Sequence, residues 1–63
     1  MTNFKITQLV KTAYKNRTEV IYEISLERYA RDEFKRLIQE FPDEHFELFI
    51  VEHTETCLDW SGR

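Results

Sequence analysis

The sequence predicts an α+β fold: a small antiparallel sheet in β-β-α-β order, with room for a short fourth strand, and one helix packed on one face. Three observations lead there. Apolar and polar residues alternate over residues 4–12 and again over 18–26, the period of a half-buried strand. The period then becomes helical through Ala30, Phe34, Leu37, Ile38 and Phe41. Residues 46–51 are apolar except for Glu47 and rich in β-formers, which suits a third strand.

Each element has a local reason. The first strand sends Phe4, Ile6 and Val10 to one face, and the polar Lys15-Asn16-Arg17 follows as a turn, because Asn tolerates the left-handed backbone a tight turn needs. Val20, Tyr22, Ile24 and Leu26 then join that face from a second strand, with Glu19, Glu23 and Ser25 opposite, so the pair reads as a hairpin. Ser25 is placed to cap the helix, and Tyr29 flanks its apolar stripe. Glu27 with Arg31 and Asp32 with Arg36 sit four apart, acid first, the favourable order for helical ion pairs. Pro42 disfavours helical geometry at Phe41 and ends the helix there. The third strand adds Phe46, Leu48 and Ile50, and a right-handed crossover places it beside the first, antiparallel to it. Beyond His53-Thr54-Glu55, the alternate positions Thr56, Leu58 and Trp60 suggest a short last strand.

Length and composition bound the function. Sixty-three residues make one domain, 1–63. A chain of this size buries only about 60% of its unfolded surface, so surface recognition suits it better than a deep catalytic cleft. A hydrophobic content of 41% with one Gly and one Pro argues against disorder. Cys57 is alone, which excludes an internal disulfide and fits a reducing compartment. Lys5 and Gln8 interrupt the apolar stretch near the start, so no signal peptide is expected, and no run approaches the roughly 20 apolar residues of a membrane span. The expected setting is cytoplasmic, without membrane contact. Residues 1–36 hold eight Lys/Arg against five acids (+3), whereas 37–63 hold seven acids against Arg63 (−6). An acidic half repels nucleic acid and steers a basic partner.

Catalytic and cofactor motifs are not expected. His45, His53 and Cys57 have the atoms of a metal site, but a structural zinc site wants more thiols and a CxxC-like spacing. A Cys57–His53 nucleophile pair needs an orienting third group and an oxyanion pocket, and nothing marks either. The only glycine is Gly62, so the familiar phosphate loops are excluded. Lys11, Lys15 and Arg17 with Tyr14 make a basic turn that could hold a phosphate and stack a base. The charges are few and the other half is acidic, so direct nucleic-acid binding is not expected. The expectation is a protein that is not an enzyme and takes no metal or cofactor.

What remains is a surplus of apolar residues. Leu9, Ile21, Phe49 and Val51 fall on the face opposite the predicted core, and one helix covers only one face of a sheet. Apolar groups on the bare face suggest a docking surface. Two bland alternatives stay open: the tail folds over that face, or a second copy of the chain covers it in a homodimer.

Several stretches carry a family likeness. Tyr14-Lys15-Asn16, then Glu23-Ile24-Ser25-Leu26, the helix to Phe41, Phe49-Ile50 and Cys57-Leu58-Asp59 resemble the Dmd antitoxins of T-even phages, which are chains of about this length. The resemblance implies a phage protein made in the infected bacterial cell. It also implies a stoichiometric inhibitor that binds and blocks a host endoribonuclease toxin of the RNase LS type and catalyses nothing itself.

An RNase binds RNA through a basic groove, and an inhibitor with an acidic half and apolar anchors could occupy that groove. On this reading Leu9, Ile21, Phe49 and Val51 are the anchors, Glu47, Glu52, Glu55 and Asp59 the charged contacts, and Trp60 a peripheral anchor. The same architecture serves inhibitors of other host machines, such as RNA polymerase or a defence nuclease, by acidic mimicry, so fold alone does not choose the target.

Overall fold

The computed structural model describes residues 2–61, which form five elements. They are β1 (Asn3–Lys11), β2 (Asn16–Ile24), α1 (Glu27–Glu40), β3 (His45–Val51) and β4 (Glu55–Ser61). The strands make one sheet in the order β2-β1-β3-β4, every neighbouring pair antiparallel. The tail is thus a full fourth strand, and β3 lies beside β1 as its crossover through the helix predicts. The thinnest dimension, 15 Å, is that of one helix laid on one sheet.

The turns differ in detail from the sequence reading. β2 begins at Asn16, and the β1–β2 connection is residues 12–15 rather than Lys15-Asn16-Arg17. Thr12 closes it: its amide donates to the Lys15 carbonyl (3.2 Å), and its Oγ1 accepts from the Lys15 amide (3.1 Å). A Thr side chain thereby does locally what an Asn in left-handed conformation was expected to do. Tyr14 stands almost fully in solvent at the tip.

The helix starts at Glu27 with Leu26 as N-cap, and no side chain caps it; Ser25 does not serve. It ends where Pro42 requires. Phe41 leaves the helical region (φ −127°, ψ 70°) after its amide donates to the Leu37 carbonyl, and the Glu44 amide then closes a turn on the Phe41 carbonyl. Of the two expected ion pairs, Glu27–Arg31 forms at 2.7 Å. Arg36 does not take Asp32. It pairs with Glu33 and Glu40 instead, because that flank faces β2, where the Tyr22 hydroxyl lies 3.4 Å from the Arg36 guanidinium.

The core is a single cluster. Phe4 and Ile6 from β1, Phe46 and Leu48 from β3, and Ala30, Phe34 and Leu37 from α1 are buried, with Ile21, Ile24, Ile38 and Ile50 packed around them. Each large buried side chain contributes about 1.5–3 kcal/mol relative to exposure. Ala30, fully buried, has no side chain beyond Cβ to hold the helix off the sheet.

A bulge rewrites the expected face of β2. Ile6 pairs with Tyr22 and Thr7 with Val20, so Ile21 is an extra residue opposite that step. From there toward the N-terminus of β2, the alternation is reversed. Val20, expected in the core, moves to the other face and is half exposed. Ile21, expected on the open face, packs against the core. Leu26, also expected inside, is 57% exposed at the helix entry.

Two outcomes follow. Phe34→Asp or Leu37→Asp puts an unpaired charge among these side chains and abolishes the cooperative melt read by circular dichroism; a surviving cooperative transition contradicts the core assignment. The Arg36 guanidinium, hydrogen-bonded to Glu33, holds that carboxyl below the usual carboxylate range, with the Tyr22 hydroxyl adding to the effect against some desolvation. A carboxyl whose pKa is depressed by folding stabilises the fold above the unfolded-state pKa and loses that contribution as pH falls through the folded value. Wild type is therefore more stable than Glu33→Gln at neutral pH, and urea titrations show the gap closing in acid; a constant gap contradicts the pairing.

Candidate functional site: the open sheet face and its acidic edge

The face away from the helix can be read from the ladders in cross-strand rows. One row runs Glu23, Lys5, Phe49, Cys57; the next runs Val20, Thr7, Glu47, Trp60. At one end lie Asn3, Val51 and Glu55, and at the other Thr18, Leu9 and His45. The β4 strand extends the sheet sideways at the β3 edge and does not fold over this face. Among the described residues, no second layer lies on it.

The face is mixed rather than continuously apolar. The Lys5 stem crosses Phe49, its Nζ 5.2 Å from the ring centroid, and reaches the Glu55 carboxylate on β4. Lys5 is largely buried by this arrangement while Glu55 stays half exposed. The aliphatic stem covers part of the ring that sequence alone leaves bare. Thr7, at the centre, is buried by its neighbours although it lies on the open side. Leu9, Phe49 and Val51 are consequently half-buried, whereas Val20 and Trp60 are the more exposed apolar groups. Trp60 stacks obliquely near His45, ring centroids 5.9 Å apart, and His45 Nε2 lies 3.0 Å from Glu47 Oε1.

The nine residues singled out from sequence are therefore divided. Leu9, Glu47, Phe49, Val51, Glu55 and Trp60 share the open face. Ile21 belongs to the core, and Val20 stands in its place through the β2 bulge. Asp59 pairs with Leu48, on the helix side of the sheet, and its carboxylate accepts from the Trp60 amide at 2.8 Å. Glu52 sits in the β3–β4 connection, where it accepts a bond from the Thr2 hydroxyl. A second bulge separates the tail residues: Leu48 pairs with Asp59 and Phe49 with Cys57, leaving Leu58 as the extra residue and turning Trp60 to the open face.

Sequence reasoning missed Val20 and Lys5. The run Val20-Ile21-Tyr22 left the first undecided, because three consecutive apolar residues fit either phase of a strand. Lys5 had no signal, since its partner is fifty positions away.

The remaining chemistry is sparse. Cys57 is free and exposed, its thiol directed to the Asp59 carbonyl at 3.4 Å. Among the described residues, no three His, Cys, Asp or Glu side chains come together as metal ligands, and no helix is long and apolar enough to cross a membrane. Two shallow depressions flank the face. One is lined by Asn3, Lys5, Val20, Glu23, Val51 and Glu55, the other by Gln8, Leu9, Lys11, Asp43, Glu44 and His45. Both are open to solvent and neither gathers a catalytic set.

No family model matches the chain, and no curated protein or solved structure matches it either.

The Lys5–Glu55 link is open to a double-mutant cycle. Lys5→Met and Glu55→Gln couple by about 0.2–1 kcal/mol in thermal or urea unfolding, and the coupling shrinks at high salt. Zero coupling at low salt means that the Lys5–Glu55 contact does not stabilise the face.

Proposed function

We propose that the protein is a small, phage-encoded, antitoxin-like inhibitor that binds and blocks a host endoribonuclease toxin. The observation that carries this reading is a sheet face that no other layer of the described chain covers, where Leu9, Val20, Phe49, Val51 and Trp60 lie among Glu47 and Glu55. Apolar anchors set among acids suit a partner whose own surface is basic and partly apolar, as an RNA-binding groove is. The likeness of Tyr14-Lys15-Asn16, Glu23-Ile24-Ser25-Leu26 and Cys57-Leu58-Asp59 to the Dmd antitoxins points to the target class. Inhibition of this kind is occupancy: the bound protein excludes RNA and performs no chemistry.

A second reading draws on the charge distribution alone. Residues 37–61 contain seven acids and no Lys or Arg. That stretch would also suit another host machine that handles nucleic acid, such as RNA polymerase or a defence nuclease, approached by acidic mimicry.

Co-expression with an RNase LS-type toxin distinguishes the two. The first reading expects rescued growth and co-purification of the toxin. No binding at micromolar concentration, together with capture of another nucleic-acid enzyme from host lysate, favours the second. With a partner in hand, Phe49→Asp or Val51→Asp weakens binding by about tenfold or more, the scale of an anchor residue, while lowering the melting temperature less than Phe34→Asp. Equal stability losses for both sets mean that Phe49 and Val51 act as core residues.

A further inference from the structure

We propose that β4 is a receiving edge: a cationic, extended segment of a partner protein pairs with it and lengthens the sheet by one strand. This rests on the protein being a binding module, as above, but not on the partner being an RNase. The β4 strand is the last in the sheet, paired on one side only. All its residues from Glu55 to Trp60 are exposed, including Trp60 at 62% and Leu58 at 38%. The helix packs against β1, β2 and β3, so β4 lies outside the strip it protects. An outer strand in this state presents a row of main-chain donors and acceptors, the template for strand addition.

The opposite edge is different. On β2, Arg17 and Glu19 pair at 2.7 Å, and Tyr22 is engaged with Arg36. Charged side chains make an edge selective about what pairs with it: β2 presents both signs, whereas β4 presents only the acids Glu55 and Asp59.

Charge selects the occupant. The β3–β4 hairpin carries Glu47, Glu52, Glu55 and Asp59 and no Lys or Arg, and Lys5 reaches only Glu55. A second copy pairing through β4 would set two acidic strands side by side, which is unfavourable. A segment bearing Lys or Arg on alternate positions, in phase with Cys57, sets those cations on the open face of β4 beside Glu55. Its apolar residues fall on the opposite face and would cover Leu58, which the bulge separates from Trp60.

Cys57, exposed within β4, supplies the probe. The full chain is equilibrated by thiol–disulfide exchange with two peptides of the length of β4, each supplied as its mixed disulfide with mercaptoethanol, which leaves as the free thiol when Cys57 attacks. Each has a central cysteine, flanked by alternating Val and Lys in one and by Val and Glu in the other. Intrinsic peptide bias is read from a Cys57→Ser, Gln39→Cys variant, which moves the thiol to the polar face of α1. At Cys57 the Lys peptide is captured about tenfold more than the Glu peptide, relative to that control. The preference drops in about 0.5 M salt and disappears when alternate peptide amides are N-methylated. Equal capture of the two peptides overturns the proposal. Undiminished capture of the N-methylated peptide overturns it too, because charge then acts without strand pairing. Protection of the β4 amides in the untreated protein, with dimer on sizing, gives the edge to a second copy instead. No nuclease enters the experiment, so its failure and that of the toxin assignment are separable.

Discussion

One helix covers one face of this sheet, and the consequences of that limit run through the molecule. A fourteen-residue helix lies over β1, β2 and β3 and supplies Ala30, Phe34 and Leu37 to a core completed by Phe4, Ile6, Phe46 and Leu48. Among the described residues, nothing comparable lies on the other side. The chain handles that side with side chains: Lys5 is drawn across Phe49 to Glu55, Thr7 is packed at the centre, and Leu9 and Val51 are left half-covered. This is enough to avoid a broad greasy patch, and it leaves Val20 and Trp60 in water. A surface of that character tolerates solvent when free and still has apolar area to bury when bound.

The two bulges connect fold to surface. The one in β2 exchanges Val20 for Ile21, giving the core a large branched side chain and the open face a smaller one. The one in β4 separates Leu58 from Trp60 and points Trp60 toward His45. Neither uses glycine, and each bends an edge strand of the sheet, a common location for such insertions. The mixed character of the open face therefore follows from where two extra residues were accommodated, as well as from the alternation of the sequence.

Much of the architecture was legible beforehand. Strand alternation, the change to helical period, and Pro42 fixed the order of elements and the helix end at Phe41. The core residues on β1, β3 and α1 followed from the same periods. The bulges were not legible, because Val20-Ile21-Tyr22 is apolar in either phase and no residue there demands special backbone geometry. Arg36 chose Glu33 over Asp32 because the helix flank at Glu33 meets Tyr22 on β2, a tertiary fact absent from local spacing. Of the nine candidate residues, six share the open face. Asp59 and Ile21 were lost to the bulges, and Glu52 to the β3–β4 connection, where strand alternation gives no direction.

The central claim is that the sheet face opposite the helix belongs to solvent in the free protein. Solvent relaxation by a soluble gadolinium chelate, read by NMR across a dilution series, tests it directly. The methyls of Val20 and Val51 and the Trp60 indole should relax strongly at every concentration, while Ile6 and Leu37 stay silent. Uniform protection of Val20, Val51 and Trp60 down to the lowest concentration means the face is already covered, and the recognition argument falls with it.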